Sequence, residues 1–253
     1  HALAHTYARL ELVPERDILS RLAEYYNDFI LGQVKQGRAG YTLLDAERDH
    51  ILAMELACHK AELWGNVCKI TWAMEDFLDM QGHWQERSAL LQMGLEAACR
   101  DEAVYDTASF LNLLGNSVAD LGDSRKAIEC YEQALKIFSQ TKERLGEGIV
   151  LGNLGTAYAD LGETRKAIEC HNMALSIARE IGNNRSEGKE LGSLGNVHYH
   201  LGEISKAIEY YEQALIIARN IGDTHSEGIR LGNLGVAYSY LGEASKGAKY
   251  YEQ

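Results

Sequence analysis

At 253 residues and 46% hydrophobic, the chain can bury a sizeable core, and a single proline suits helices better than a turn-rich sheet protein. Its formal charge of −12 argues against a basic stripe that tracks a nucleic-acid backbone, and equally against a polybasic membrane-surface protein. Proteins, including ones with basic segments, are the partners this balance fits; neither nucleic acid nor membrane is expected. No apolar run approaches the ~18 residues that span a bilayer, and the N-terminus lacks the basic-then-apolar layout of a signal peptide. The chain reads as cytoplasmic. Its five cysteines (Cys58, Cys68, Cys99, Cys130, Cys170) show no Cys-x-x-Cys or zinc-finger spacing, so they read as buried small hydrophobes in a reduced compartment.

Before residue 62 the apolar spacing is helical without a longer period. Pro14 suits a first helical turn, and Ile18, Leu22, Tyr25, Phe29 and Ile30 follow on helical spacing. Gly37-Arg38-Ala39-Gly40 is expected to break the chain, with Tyr41–Lys60 helical again. Over Glu62–Cys99 a faint 40-residue period begins: Gly82 precedes Gly122, Met74 precedes Leu114, and Leu95 precedes Leu135. Phe77-Leu78 occupy the apolar place of Ser117-Val118, and Trp64, Trp72 and Trp84 are expected to fill space that glycines leave open in later units.

From about Ala108 the period is unmistakable. Gly115, Gly155, Gly195 and Gly235 form one column, and Gly122, Gly162, Gly202 and Gly242 another. A fixed period of this length marks a solenoid whose units bury their apolar faces only by stacking. In the third copy, a first helix is expected over about Glu187–His200, with Leu191, Leu194, Gly195 and His198 on one face. Asn184 with Glu187, and Thr224 with Glu227, are spaced as capping pairs. Leu201-Gly202 stops that helix, since glycine takes a left-handed cap without strain. A second helix over about Ser205–Ile221 puts Ala207, Ile208, Tyr211, Ala214, Leu215 and Ala218 on one stripe. A mid-helix glycine costs about 1 kcal/mol relative to alanine, so the Gly195 column needs a reason, and close helix packing supplies one.

The pattern Leu151-x2-Leu154-Gly155-x2-Tyr158 followed by Ala167, His171 and Ala174 resembles the tetratricopeptide (TPR) repeat. Two departures stand out: the aromatic column Tyr131, Tyr211, Tyr251 carries His171 in one copy, and the usual closing proline is replaced by a longer turn such as Gly182-Asn183-Asn184-Arg185. Long repeats of this kind are similar to those of kinesin light chains, Pins-type spindle adaptors and bacterial signalling ATPases. Leu44-x-x-Glu47-x-x-x-Ile51-x-Ala53 resembles the helical stretch after the ATPase core of STAND-type (NB-ARC or NACHT-like) regulators, with His50 where asparagine is frequent. His1-x-Leu3-x-x-x-Tyr7-Ala8 is similar to the last helix of their winged-helix domain. The resemblance implies an all-α, right-handed α-solenoid with three parts. Residues 1–61 would be a helical adaptor, with the possible end of a winged helix; 62–107 a degenerate repeat; and 108–253 four 40-residue repeats, the last truncated.

That resemblance also implies a ligand-sensing, autoinhibitory module whose partner is a protein or peptide, with the ATPase domain of the same polypeptide upstream. The alternative is a constitutive scaffold in the manner of kinesin light chains. No catalytic site, metal or cofactor is expected. Gly188-Lys189-Glu190, the string nearest a phosphate loop, lacks the preceding glycine and the hydroxyl. His198 and His200, two apart, lie on different helix faces, and His198 shares a column with the core residues Tyr158 and Tyr238.

In this family the stripe opposite the packing face lines a concave groove. Here that stripe reads Asn112, Gly152, Gly192, Gly232, then Asn116, Thr156, Asn196, Val236. Deeper columns are Ala119, Ala159, Tyr199, Ser239 and Asp120, Asp160, His200, Tyr240. Asparagine can both donate to and accept from a peptide backbone, glycine can let a ligand approach or make room for a neighbouring helix, and tyrosine can anchor. The packing columns barely change between copies while these columns vary. Tyr250-Tyr251-Glu252-Gln253 stops within a second helix, so the array is expected to be truncated, with an open end face that favours end-to-end contacts.

Overall fold

The computed structural model describes residues 15–252, which form twelve helices and no strand. The described chain divides into two compact units, the first ending at Val118 and the second starting at Ala119. Pro14 and the stretch His1–Ala8 lie outside the described residues.

The first unit holds α1 (Arg16–Val34), α2 (Arg38–Lys60), α3 (Trp64–Gln81), α4 (Trp84–Arg100) and most of α5 (Val104–Asp120). Its interior is one continuous cluster that includes Ile30, Leu44, Ile51, Ile70, Met74, Phe77, Leu78, Leu90 and Leu91. Gly40 does not break the chain; it lies inside α2, and the break is the turn 35–37, which ends on Gly37, whose φ of +61° glycine alone takes cheaply. A Cβ at Gly40 would fall 1.9 Å from the Gln33 carbonyl oxygen, so this glycine lets the start of α2 cross the end of α1.

The tryptophans are not the space-fillers expected. Trp72 and Trp84 are exposed and Trp64 is half-buried; Trp72 packs on Phe110 and donates from Nε1 to Asp106 at 3.1 Å. Two other substitutions blur the repeat here. Glu75 stands in the column of Gly155 and Gly195, and Arg87 in that of Ala167 and Ala207. The Arg87 Nε donates to Glu75 Oε1 at 3.0 Å, with Asp79 2.8 Å from Nη1. A buried ion pair thus stands in the two columns that later copies fill with glycine and alanine.

The second unit holds α6 (Ser124–Thr141), α7 (Arg144–Asp160), α8 (Thr164–Glu180), α9 (Asn184–His200), α10 (Ile204–Ile221), α11 (Thr224–Tyr240) and α12 (Ala244–Tyr251). Each packs on the next in the chain, and α7 also touches α9, the first helix of the following repeat. The interior is segmented: Leu151, Ala174 and Ile177 form one cluster, Leu175, Leu191, Leu194 and Ala214 a second, and Tyr211, Leu215, Leu231 and Leu234 belong to a third. That is the core of an array whose units bury apolar surface only against neighbours.

The glycine stops are where the sequence puts them. Gly202 has φ +77°, its N–H donates to Tyr199 O, and the Glu203 N–H donates to His198 O at 3.0 Å, closing the helix end. The helix starts differ from expectation by one residue: Asn183 and Asp223, not Asn184 and Thr224, are the caps, accepting from the Ser186 and Ser226 N–H groups at 3.1 Å. Asn183→Ala is therefore expected to cost about 1 kcal/mol, and Asn184→Ala no more than about 0.5 kcal/mol. Urea midpoints at constant slope distinguish the two. Of the cysteines, Cys58 and Cys68 are buried and Cys130 and Cys170 half-buried, but Cys99 is exposed, contrary to expectation.

Candidate functional site

The glycine and aromatic columns together set the spacing of each repeat. A Cβ on Gly155 would fall 2.7 Å from the His171 ring, one on Gly195 2.5 Å from the Tyr211 ring, and one on Gly235 2.6 Å from the Tyr251 ring. Glycine is the residue that lets a ring on the second helix lie directly against the first helix. What the ring then reaches differs between copies. The Tyr211 hydroxyl donates to Asn196 Oδ1 at 2.9 Å, and Asn233 Nδ2 donates to the same oxygen at 3.3 Å, so Asn196 ties its own repeat to the next. Burial pushes the Tyr211 phenol up to about 12, which keeps it a neutral donor.

One repeat earlier the arrangement opens. Thr156 stands in place of Asn196 and returns its hydroxyl to the Gly152 carbonyl at 3.2 Å. His171 stands in place of Tyr211, with Nδ1 2.8 Å from Glu190 Oε2; both residues are 2–3% exposed. Between α7, α8 and α9 lies a cleft of about 400 Å3, lined by Thr156, Ala159, Asp160, Thr164, His171, Ser193, Asn196, Val197, His200 and Leu201. Four expected groove residues, Thr156, Asp160, Asn196 and His200, are thereby brought together from two successive repeats.

The glycine column is corrected in part. Gly152 and Gly192 are buried, and a Cβ would meet Glu190 Oε1 at 2.6 Å in the first case and Arg230 Cζ at 2.1 Å in the second. They make room for side chains of the following repeat's first helix and are closed to a ligand. The Arg230 guanidinium fills the Gly192 notch beside Tyr211, and burial lowers its pKa from the usual guanidinium range. Gly232 differs: it is half-buried with nothing within 4 Å of a Cβ.

A second cluster lies on α9 and α11. Tyr199 makes edge-to-face contacts with His200 at 5.8 Å and Tyr240 at 6.1 Å between ring centroids, and Tyr240 is 70% exposed. Val236 and Ser239 are exposed on α11, the Ser239 hydroxyl donating to Gly235 O at 2.8 Å. Asn112 and Asn116 are half-buried on α5 in the first unit. His198 is buried, stacked on Tyr210, with Nδ1 2.7 Å from Glu203 Oε2; His200 points to the exposed side. No group of three His, Cys, Asp or Glu able to hold a metal occurs among the described residues, and no described helix is long and apolar enough to cross a membrane.

The pair His171–Glu190 escaped sequence reasoning as a site. Its signal was present: His171 interrupts a tyrosine column, and Glu190 is the carboxylate in a column that otherwise reads Phe110, Val150, Arg230.

The tetratricopeptide repeat profile matches residues 106–180 and 190–253. No curated protein matches the sequence. Among solved structures, the chain is similar to a signal transduction ATPase with numerous domains (STAND) carrying a TPR sensor, from Pyrococcus horikoshii: 20% identity, TM-score 0.66, covering 92% of this chain and 36% of that one. It is also similar to a kinesin-light-chain-like protein of Podospora anserina with nearly identical TPR-like repeats (18% identity, TM-score 0.60, 76% and 92% covered). A third is a Rap protein complexed with Competence and Sporulation Factor (14% identity, TM-score 0.67, 94% and 75% covered). At these identities the likeness is one of fold.

Proposed function

Because the chain belongs to the tetratricopeptide repeat family, we propose that it is a non-catalytic protein- or peptide-binding module acting as the ligand-sensing, autoinhibitory region of a cytoplasmic STAND-type ATPase. The observation that carries the binding role is the groove surface on the first helices: the cleft that joins Thr156, Asp160, Asn196 and His200, and beside it the Tyr199–Tyr240 pair. Tyr240 is exposed and Tyr199 half-buried behind it, and tyrosines so placed anchor partners at low entropic cost. A Rap protein of the same fold is complexed with a factor, which is in keeping with that use. The STAND reading is supported by a likeness that covers nearly all of this chain but about a third of the ATPase, the share a sensor segment would have. The likeness to a kinesin-light-chain-like protein favours the second reading, a constitutive scaffold. The genomic sequence ahead of residue 1 separates them: a phosphate loop and winged helix there support the switch, and a further repeat or coiled coil sinks it.

Binding is tested by selecting peptides from a displayed random library and measuring their affinity for variants. Tyr199→Ala and Tyr240→Ala should each weaken the selected peptides by about tenfold or more. Met173→Ala, an exposed change on α8, should leave them unaffected. Equal affinities across all three, with the fold intact, would remove the groove assignment. Asn196→Ala is the less clean variant, because it also breaks the bonds from Tyr211 and Asn233.

A further inference from the structure

The cleft at His171 carries chemistry that the rest of the groove lacks. Its ring column is tyrosine in the other copies, and Tyr211 reaches Asn196 with its hydroxyl. The shorter imidazole of His171 stops below Thr156, which is satisfied within its own helix, so the volume a tyrosine hydroxyl would take belongs to the cleft. Glu190 fixes the ring. Glu190 Oε2 engages the ring through Nδ1, which leaves Nε2 as the ring's remaining polar atom for a ligand. At the rim stands the exposed Asp160 carboxylate, and no lysine or arginine lines the cleft. Ala159, Val197 and Leu201 supply apolar wall.

A ligand group matching these features has a methylene stem and a cationic head with several donors. We propose that the cleft is a specificity subsite for a lysine or arginine side chain of the bound peptide; this rests on the groove reading above. The stem lies along Ala159, Val197 and Leu201. The head donates to the Asp160 carboxylate and to His171 Nε2. The chain's charge of −12 draws such a peptide in, and added salt weakens its capture.

The test uses small probes, independent of any longer peptide. N-acetyl-lysinamide and N-acetyl-argininamide should shift the His171 ring resonances saturably, whereas N-acetyl-norleucinamide, which has the stem without the charge, should not. Asp160→Asn should weaken the lysine probe about threefold to fivefold, as fits an exposed carboxylate. His171→Tyr should abolish binding, read at the Asn196 side-chain amide. Since that change alone strands Glu190, the double variant His171→Tyr/Glu190→Val is measured beside it. It rebuilds the Tyr131 and Val150 of the preceding copy, residues the same chain already folds around. An equal response to norleucinamide, no response to the lysine probe, or undiminished lysine binding by the folded double variant would overturn the subsite. Selected peptides that depend on Tyr199 and Tyr240 but carry no basic residue would also overturn it, while leaving the groove standing.

Discussion

Glu55→Gln is expected to stabilise the protein by a few kcal/mol near pH 9 and to change little near pH 5. Glu55 lies on α2 in the first unit, 0% exposed; its Oε1 accepts from the Thr71 hydroxyl at 2.8 Å, and its Oε2 has no partner. Burial pushes its carboxyl from the ordinary 4.5 up to about 8, against a smaller opposing pull from the Thr71 bond. The folded state therefore holds a proton that the unfolded state has already lost over that interval. Stability is fully present below about pH 4.5, declines as pH rises, and has lost this contribution once pH passes about 8. The interval corresponds to a loss on the order of 5 kcal/mol. Glutamine mimics the protonated acid, keeps an oxygen for Thr71 and cannot ionise. All three tryptophans lie in the same unit, so urea unfolding followed by their fluorescence from pH 5 to 9 reads the effect directly. A wild type and variant with parallel pH profiles would show that Glu55 titrates normally.

Glu55 also marks where the sequence stopped being legible. From Ala108 onward each helix start, glycine stop and packing face follows a period that recurs in four copies, and the structure departs from it by a residue or so. In the first unit the period survives in Gly82, Met74 and Leu95 but not in chemistry. Glu75 and Arg87 occupy columns reserved elsewhere for glycine and alanine, and in the fold the two satisfy each other across a helix pair. A charged residue at a core position looks like a failed repeat until its partner is found.

The candidate site was legible as a stripe but not as a cavity. Periodicity places Thr156, Asp160, Asn196 and His200 on one face, and the structure gathers them around one cleft. It cannot say that Glu190 and Arg230, from the next repeat, fill the notches at Gly152 and Gly192. Nor does the stripe reveal that Asn196 has already committed its oxygen to Tyr211 and Asn233, leaving a donor rather than an acceptor toward a ligand. Both facts depend on contacts between residues roughly 15–40 positions apart, where side-chain length decides the outcome.

The same substitution should have opposite signs in two neighbouring repeats. Gly195→Ala gains about 1 kcal/mol of helix propensity, yet its Cβ falls 2.5 Å from the Tyr211 ring. That ring is 3% exposed and held at its far end by Asn196, so it cannot swing aside without breaking that hydrogen bond. Overpacking of this kind costs about 1–3 kcal/mol, and the lost hydrogen bond about 1 kcal/mol more. The net expectation is a loss of about 1–3 kcal/mol. Gly232→Ala and Gly228→Ala, on α11, meet nothing within 4 Å and keep helical backbone angles, so each should gain up to about 1 kcal/mol. Urea midpoints followed by helical circular dichroism read both, since the second unit has no tryptophan. Tyr211→Ala should make Gly195→Ala harmless or favourable, because the ring that forbids the methyl is gone, and a double-mutant cycle isolates that coupling. If Gly195→Ala instead stabilised the wild type as Gly232→Ala does, the glycine column would owe its recurrence to something other than the ring it faces. The close approach of α9 and α10 that shapes the groove would then need another cause.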